Sequence, residues 1–111
     1  MDMKIDFGSM PDMKIPGMHG GAGEMTARMF EGNGLKVIPC RIHPGGSIGL
    51  HRHENGDDIN YVLYGNGMAV CDGVEEDLAT DVCHICPKGS EHSIKNTGMI
   101  DLVMLTVVVE R

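Results

Sequence analysis

The chain has 111 residues and a formal net charge of -7, from nine basic and sixteen acidic side chains. That charge argues against nucleic acid and anionic membrane as partners, and no run approaches the ~20 apolar residues of a membrane span. The length fits one domain that buries roughly 65% of its unfolded surface, and with aromatics at only 4% of the chain there is no base-stacking surface.

The start, Met1-Asp2-Met3-Lys4-Ile5-Asp6, lacks the basic and apolar regions of a signal peptide. A cytoplasmic location is therefore expected, and with it four free cysteines. Residues 1–24 concentrate Gly8, Gly17, Gly20, Gly21, Gly23, Pro11 and Pro16, a composition that resists regular structure. They read as an extended N-terminal arm. Ile5, Phe7, Met13, Ile15 and Met18 give it apolar anchors, so it is expected to lie across the body of the protein or a partner subunit.

Residues 25–111 carry β signals. A short strand is predicted over Thr26–Phe30 and a longer one over Leu35–Ile42, where Pro39 implies an edge or a bend. Ile59–Tyr64 is a hydrophobic strand, with Tyr61 and Tyr64 expected on opposite faces. Gly65-Asn66-Gly67 turns into Met68–Cys71, and Asp72-Gly73 is a strong hairpin signal into Val74–Ala79. Val82–Cys86 and Ser90–Lys95 follow. Asn96-Thr97-Gly98 turns into a closing strand over Ile100–Val109. Short strands at regular spacing predict an all-β sandwich or barrel. Cys83 and Cys86, three apart on one strand, should face opposite sides and share no metal.

His51 and His53 are two apart, and on a strand such residues point the same way. Two imidazoles so placed can grip one divalent ion from a single segment. A carboxylate and a third imidazole from neighbouring strands would complete the set, and this donor mixture suits Zn, Fe, Mn, Ni or Cu rather than Ca or Mg.

The stretch from Gly45 to Gly65 resembles the first cupin motif, G(x)5HxH(x)3,4E(x)6G, with Gly45, His51, His53 and Gly65 in register. Asp58 stands where the motif has glutamate. Pro87, Gly89, His92 and Asn96 match the second motif, PxG(x)2H(x)3N, whose opening glycine is replaced here by Asp81. The resemblance implies a small antiparallel jelly-roll (cupin) barrel, usually a homodimer, with a divalent transition metal ion held by His51, His53, Asp58 and His92. Asp58 is one methylene short of glutamate. It could bind directly or through water, or the site could use the three histidines alone; Asp57 fits the shorter permitted spacing but breaks the count to Gly65.

Outside the motifs, His84 lies mid-strand and either lines the pocket or points to solvent. His43 reads as a strand end and His19 as part of the arm. Arg41 and Lys95 could steer an anion. Three neutral imidazoles and one carboxylate would leave a net +1 site. That favours an anionic ligand, and with it a metal-dependent enzyme acting on a small oxygenated organic acid or sugar-derived molecule. A non-catalytic small-molecule binding or sensory module is the alternative. A second titratable group near the metal would favour the enzyme.

Overall fold

Alternating apolar and polar residues favour strands that bury one face each. The computed structural model describes residues 4–111, so Met1 to Met3 of the arm lie outside the described residues. In chain order the strands are β1 (Met13–Pro16), β2 (Glu24–Ala27), β3 (Phe30–Gly32), β4 (Leu35–Ile42), β5 (Ser47–Arg52) and β6 (Gly56–Tyr64). They continue with β7 (Gly67–Cys71), β8 (Val74–Leu78), β9 (Cys83–Cys86), β10 (Glu91–Asn96) and β11 (Leu102–Glu110). Helical structure among the described residues is confined to 3-10 turns at Phe7–Ser9 and Met18–Gly20. No helix there is long and apolar enough to cross a membrane.

All the strand pairings are antiparallel. The larger sheet has the order β1-β2-β4-β11-β6-β9, with β3 also on β4, and the smaller has β5-β10-β7-β8. Together they form the jelly-roll barrel expected from the sequence. Ile42, Val62, Ala69, Ile94, Leu102 and Met104 form the centre of its apolar core.

Register decides what faces inward. Residues directly opposite across an antiparallel ladder share a face. In the larger sheet one such row is Lys36, Val108, Asp58 and Cys86, and the next is Ile38, Thr106, Asn60 and His84. In the smaller sheet His51, His92 and Cys71 make a row.

Several local expectations are sharpened. The strand predicted over Thr26–Phe30 is two strands, β2 and β3, broken at Arg28-Met29. Pro39 lies opposite this break: its carbonyl accepts from the Arg28 N–H at 3.1 Å, so its missing N–H faces the same gap and costs no ladder bond. Asp72 and Gly73 have φ of 49° and 80°, the paired positive values of a tight hairpin. Asp81 has φ of 69°, which explains why its place in the motif favours glycine. Its carboxylate accepts from the Tyr61 hydroxyl at 2.6 Å.

The expectation for the tyrosines fails. The β6–β11 ladder shifts register between Val103 and Met104, so Tyr61 and Tyr64 come to oppose Leu105 and Val103 on the outer face. They are 37% and 59% exposed, and neither lines the cavity described below.

The described part of the arm docks on the barrel. β1 pairs with β2, and Ile15 and Met18 pack against the core. The contact with β5 is backbone against backbone. A Cβ on Gly49 would lie 2.1 Å from the His19 carbonyl oxygen, and one on Gly21 would lie 2.2 Å from that of Ser47. Glycine at both positions allows the arm to lie this close, and so sets where His19 sits.

Candidate functional site

The inner row of the smaller sheet faces the inner row of the larger one, and His51, His53, Asp58 and His92 meet between them. One donor atom from each lies within 4.8 Å of the others. His51 is at the end of β5, His53 one residue beyond it, Asp58 on β6 and His92 on β10. Asp58 is 5% exposed and His92 1%. Asp57 points away, bound to the Arg111 guanidinium at 2.7 Å and to the Lys88 amide at 2.9 Å.

The second ring nitrogens of His51 and His92 are assigned work, and this fixes what each presents to the centre. His51 donates from Nδ1 to the Gly49 carbonyl at 2.7 Å, which leaves Nε2 with its lone pair. His84 lies 2.8 Å from Glu76 Oε1 through Nδ1 and 2.9 Å from His92 Nδ1 through Nε2. A carboxylate only accepts. His84 Nδ1 is therefore the donor there, neutral His84 accepts at Nε2, and His92 donates from Nδ1. His92 Nε2 is left as a bare lone pair facing Asp58 Oδ2 at 3.0 Å. His53 Nε2 lies 3.1 Å from the same oxygen and 3.1 Å from His92 Nε2. A neutral His53 that carries its proton on Nε2 donates to this pair in the metal-free protein, and a metal ion among the same atoms would take that proton's place. Imidazole nitrogens with one carboxylate oxygen fit a divalent transition metal.

Burial pushes His51 down from its ordinary 6.5 to about 4, and burial also lowers His53 and His84. Burial raises the Asp58 carboxyl, but the facing His92 and His53 imidazoles and Asn60 outweigh it, and the net direction is downward. His51 and His53 are therefore neutral beside an ionised carboxylate, the form that binds metal.

The cluster forms part of the wall of a cavity of about 210 Å³. Ile15, Met18, Met25, Ile38, Ile48 and Ile94 supply most of the rest, with Lys36 as the cation. Asn60 and Thr106 also line it, bonded to each other at 2.8 Å. His19 lies at the rim, stacked on His51 with ring centroids 4.1 Å apart, on a residue with φ of 50°.

A scan against family models matches the cupin domain over residues 40–108. The chain belongs to the cupin family. A protein of Thermotoga maritima called oxalate-binding protein is 34% identical over 103 residues, 86% of this chain and 84% of that one. The crystal structure of a predicted oxalate decarboxylase from Thermotoga maritima has a TM-score of 0.91 at 29% identity, covering 98% of this chain and 100% of that one. The cupin domain of Schizosaccharomyces pombe Cnp3 shares the fold, with a TM-score of 0.80 at 12% identity over 98% of this chain and 74% of that one.

This cupin brings His19, Glu76 and Lys36 to the site, none of which had been singled out as a site residue, and of the two orientations open to His84 it takes the inward one, behind His92. For two of these four the signal was parity. Lys36 shares a face with Ile38, Cys40 and Ile42, and His84 with Cys86. His43 lies apart, bridging Asp101 at 2.9 Å and Thr26 at 2.7 Å, and Arg41 pairs with Asp12 at 3.1 Å. Cys83 is exposed and Cys86 buried, so they share nothing. The Cys86 sulfur instead lies 3.9 Å from that of Cys71, beside the cluster. Burial pushes the Cys86 thiol up to about 12, which keeps it protonated and unreactive.

The depressed histidines give the metal-free protein a pH dependence. Between about 6.5 and about 4, the unfolded chain takes up a proton at His51 that the folded one refuses. The stability tied to this group is present above 6.5 and is lost as pH falls through that window; His53 and His84 act in the same direction. Thermal melting in chelator should give a clearly lower Tm at pH 5 than at pH 7.5. An equal or higher Tm at pH 5 would contradict the assignment of neutral, buried imidazoles.

Proposed function

We propose that this chain holds one divalent transition metal ion on His51, His53, Asp58 and His92 and acts, as a metal-dependent enzyme, on a small oxygenated organic acid. The observation that carries the reading is the position of the donor set, three imidazoles and one carboxylate on the wall of a cavity of about 210 Å³. An ion bound there supplies Lewis-acid polarisation of a ligand oxygen and activation of water or O₂. The three histidines contribute neutral donors and Asp58 a single negative charge, so the loaded site stays positive and attracts an anion. His19 adds a second titratable group at the cavity rim. The apolar wall speaks for an acid over a sugar-derived molecule. The Thermotoga maritima relative named for oxalate supports a small carboxylate as the ligand class.

Elemental analysis tests the donor set. His51→Ala and His92→Ala should lose stoichiometric metal, and Asp58→Ala should bind more weakly. His84→Ala should still fill at saturating metal, but with affinity lowered about 10- to 100-fold, because His92 loses the partner that orients it. Retention of tightly bound metal by His92→Ala would sink the assignment.

A second reading, binding without turnover, is favoured by the binding role in that relative's name. The two part in one experiment. Metal-loaded protein is incubated with oxalate and related small carboxylates and followed by carbon NMR. New product signals are expected for an enzyme; saturable binding with no product after many hours would leave the binder.

We further propose a homodimer that uses the outer face of the larger sheet. Val37, Leu105, Val107, Ile59, Tyr61 and Ile85 lie on that face, and Ile85 is 54% exposed. An apolar sheet face of this kind is a common site of subunit contact. Light scattering at tens of micromolar protein should give twice the chain mass, and a monomer there would reject the proposal.

A further inference from the structure

The cavity wall has a chemistry that the donor set alone does not dictate. A ligand chelating an ion on the four donors directs the rest of its atoms at Ile15, Met18, Met25, Ile38 and Ile48. Those side chains offer no hydrogen bond. The polar side chains among them are largely committed, and His19 lies beside the cluster with its ring stacked on His51, away from this apolar wall. Thr106 donates to Asn60, and the Asn60 amide nitrogen donates to the backbone carbonyls of Asp58 and His84. Lys36 forms no ion pair among the described residues. It shares the Asp58 row, two strands away through Val108, or roughly 10 Å at the usual strand spacing. A lysine side chain covers much of that distance, so its ammonium group can reach a carboxylate seated beside the cluster.

We propose that the cavity selects a small 2-oxo or 2-hydroxy monocarboxylate whose remaining substituent is apolar, with its chelating end at the cluster and Lys36 and its aliphatic tail against the isoleucine and methionine wall. The inference rests on the metal reading above and names the substrate class for that site. Oxalate is the informative contrast. It forms the same five-membered chelate with a second anionic oxygen, but its two outward oxygens cannot both be matched by one lysine, and a charged oxygen against an apolar wall is unfavourable. A branched alkyl group in the same place leaves water for that wall. The cavity of about 210 Å³ has room for an acid of five or six carbons.

The test uses the wild-type full chain loaded with manganese(II), with metal content measured first. Calorimetric titration then compares glyoxylate, pyruvate, 2-oxobutanoate and 3-methyl-2-oxobutanoate with oxalate. Affinity should rise along the 2-oxo acid series, by up to about fourfold per added carbon, and 3-methyl-2-oxobutanoate should bind at least tenfold tighter than oxalate. Lys36→Met should weaken every member of the series to a similar degree while keeping its slope. A flat or falling series, oxalate as the tighter ligand, or no binding of any probe to metal-loaded protein overturns the inference and leaves the metal site standing. Protein that takes up no manganese rejects the metal reading, and this inference falls with it.

Discussion

A buried imidazole has two nitrogens to satisfy, and that demand organises the interior of this barrel. His92 is almost wholly enclosed, so each of its nitrogens needs a partner at hand. One meets His84, which meets Glu76; the other is left for the centre of the cluster. The strands that carry these groups, β10, β9 and β8, belong to both sheets. The hydrogen bonds that set the His92 ring therefore also tie the sheets together where the site lies. No buried side-chain nitrogen or oxygen among the described residues is left without a partner, so the polar centre is accommodated inside the apolar core without an orphaned group.

Much of this was legible in the sequence, for physical reasons that differ from residue to residue. The strands were readable because period-2 alternation and turn chemistry are local. Leu35–Ile42 falls on β4 residue for residue, and Asp72-Gly73 makes its hairpin. The four clustered residues were readable because the motifs fix their spacing. What escaped depends on pairing between distant segments. His84 joins the site because β9 pairs with β6 and sets it beside Asn60. Lys36 joins because β4 and β11 pair with Val108 between Lys36 and Asp58. His19 has no periodic signal at all; its place follows from a glycine contact between the arm and β5. The tyrosines were misjudged because a register shift reverses strand parity and leaves no local trace.

The arm matters more to the cavity than to the core. Remove β1 and the Met18–Gly20 turn, and most of the core cluster remains. The cavity, however, loses Met13, Ile15, Met18 and His19 from its wall. The barrel supplies the four donor side chains and the N-terminal segment supplies much of the lining, so the chemistry and the shape of the site rest on different parts of the chain.

The two hydrogen bonds from His92 to Glu76 give the interior a second outlet. Glu76 is half exposed, on β8 at the sheet edge opposite β5 and the arm. An occupant that stoppers the cavity shuts out water at the mouth, yet the cluster stays in electrical contact with the back of the molecule. Removing the charge at Glu76 by a glutamine substitution would alter the donor strength of the innermost nitrogen through two hydrogen bonds, at a distance from the cavity mouth.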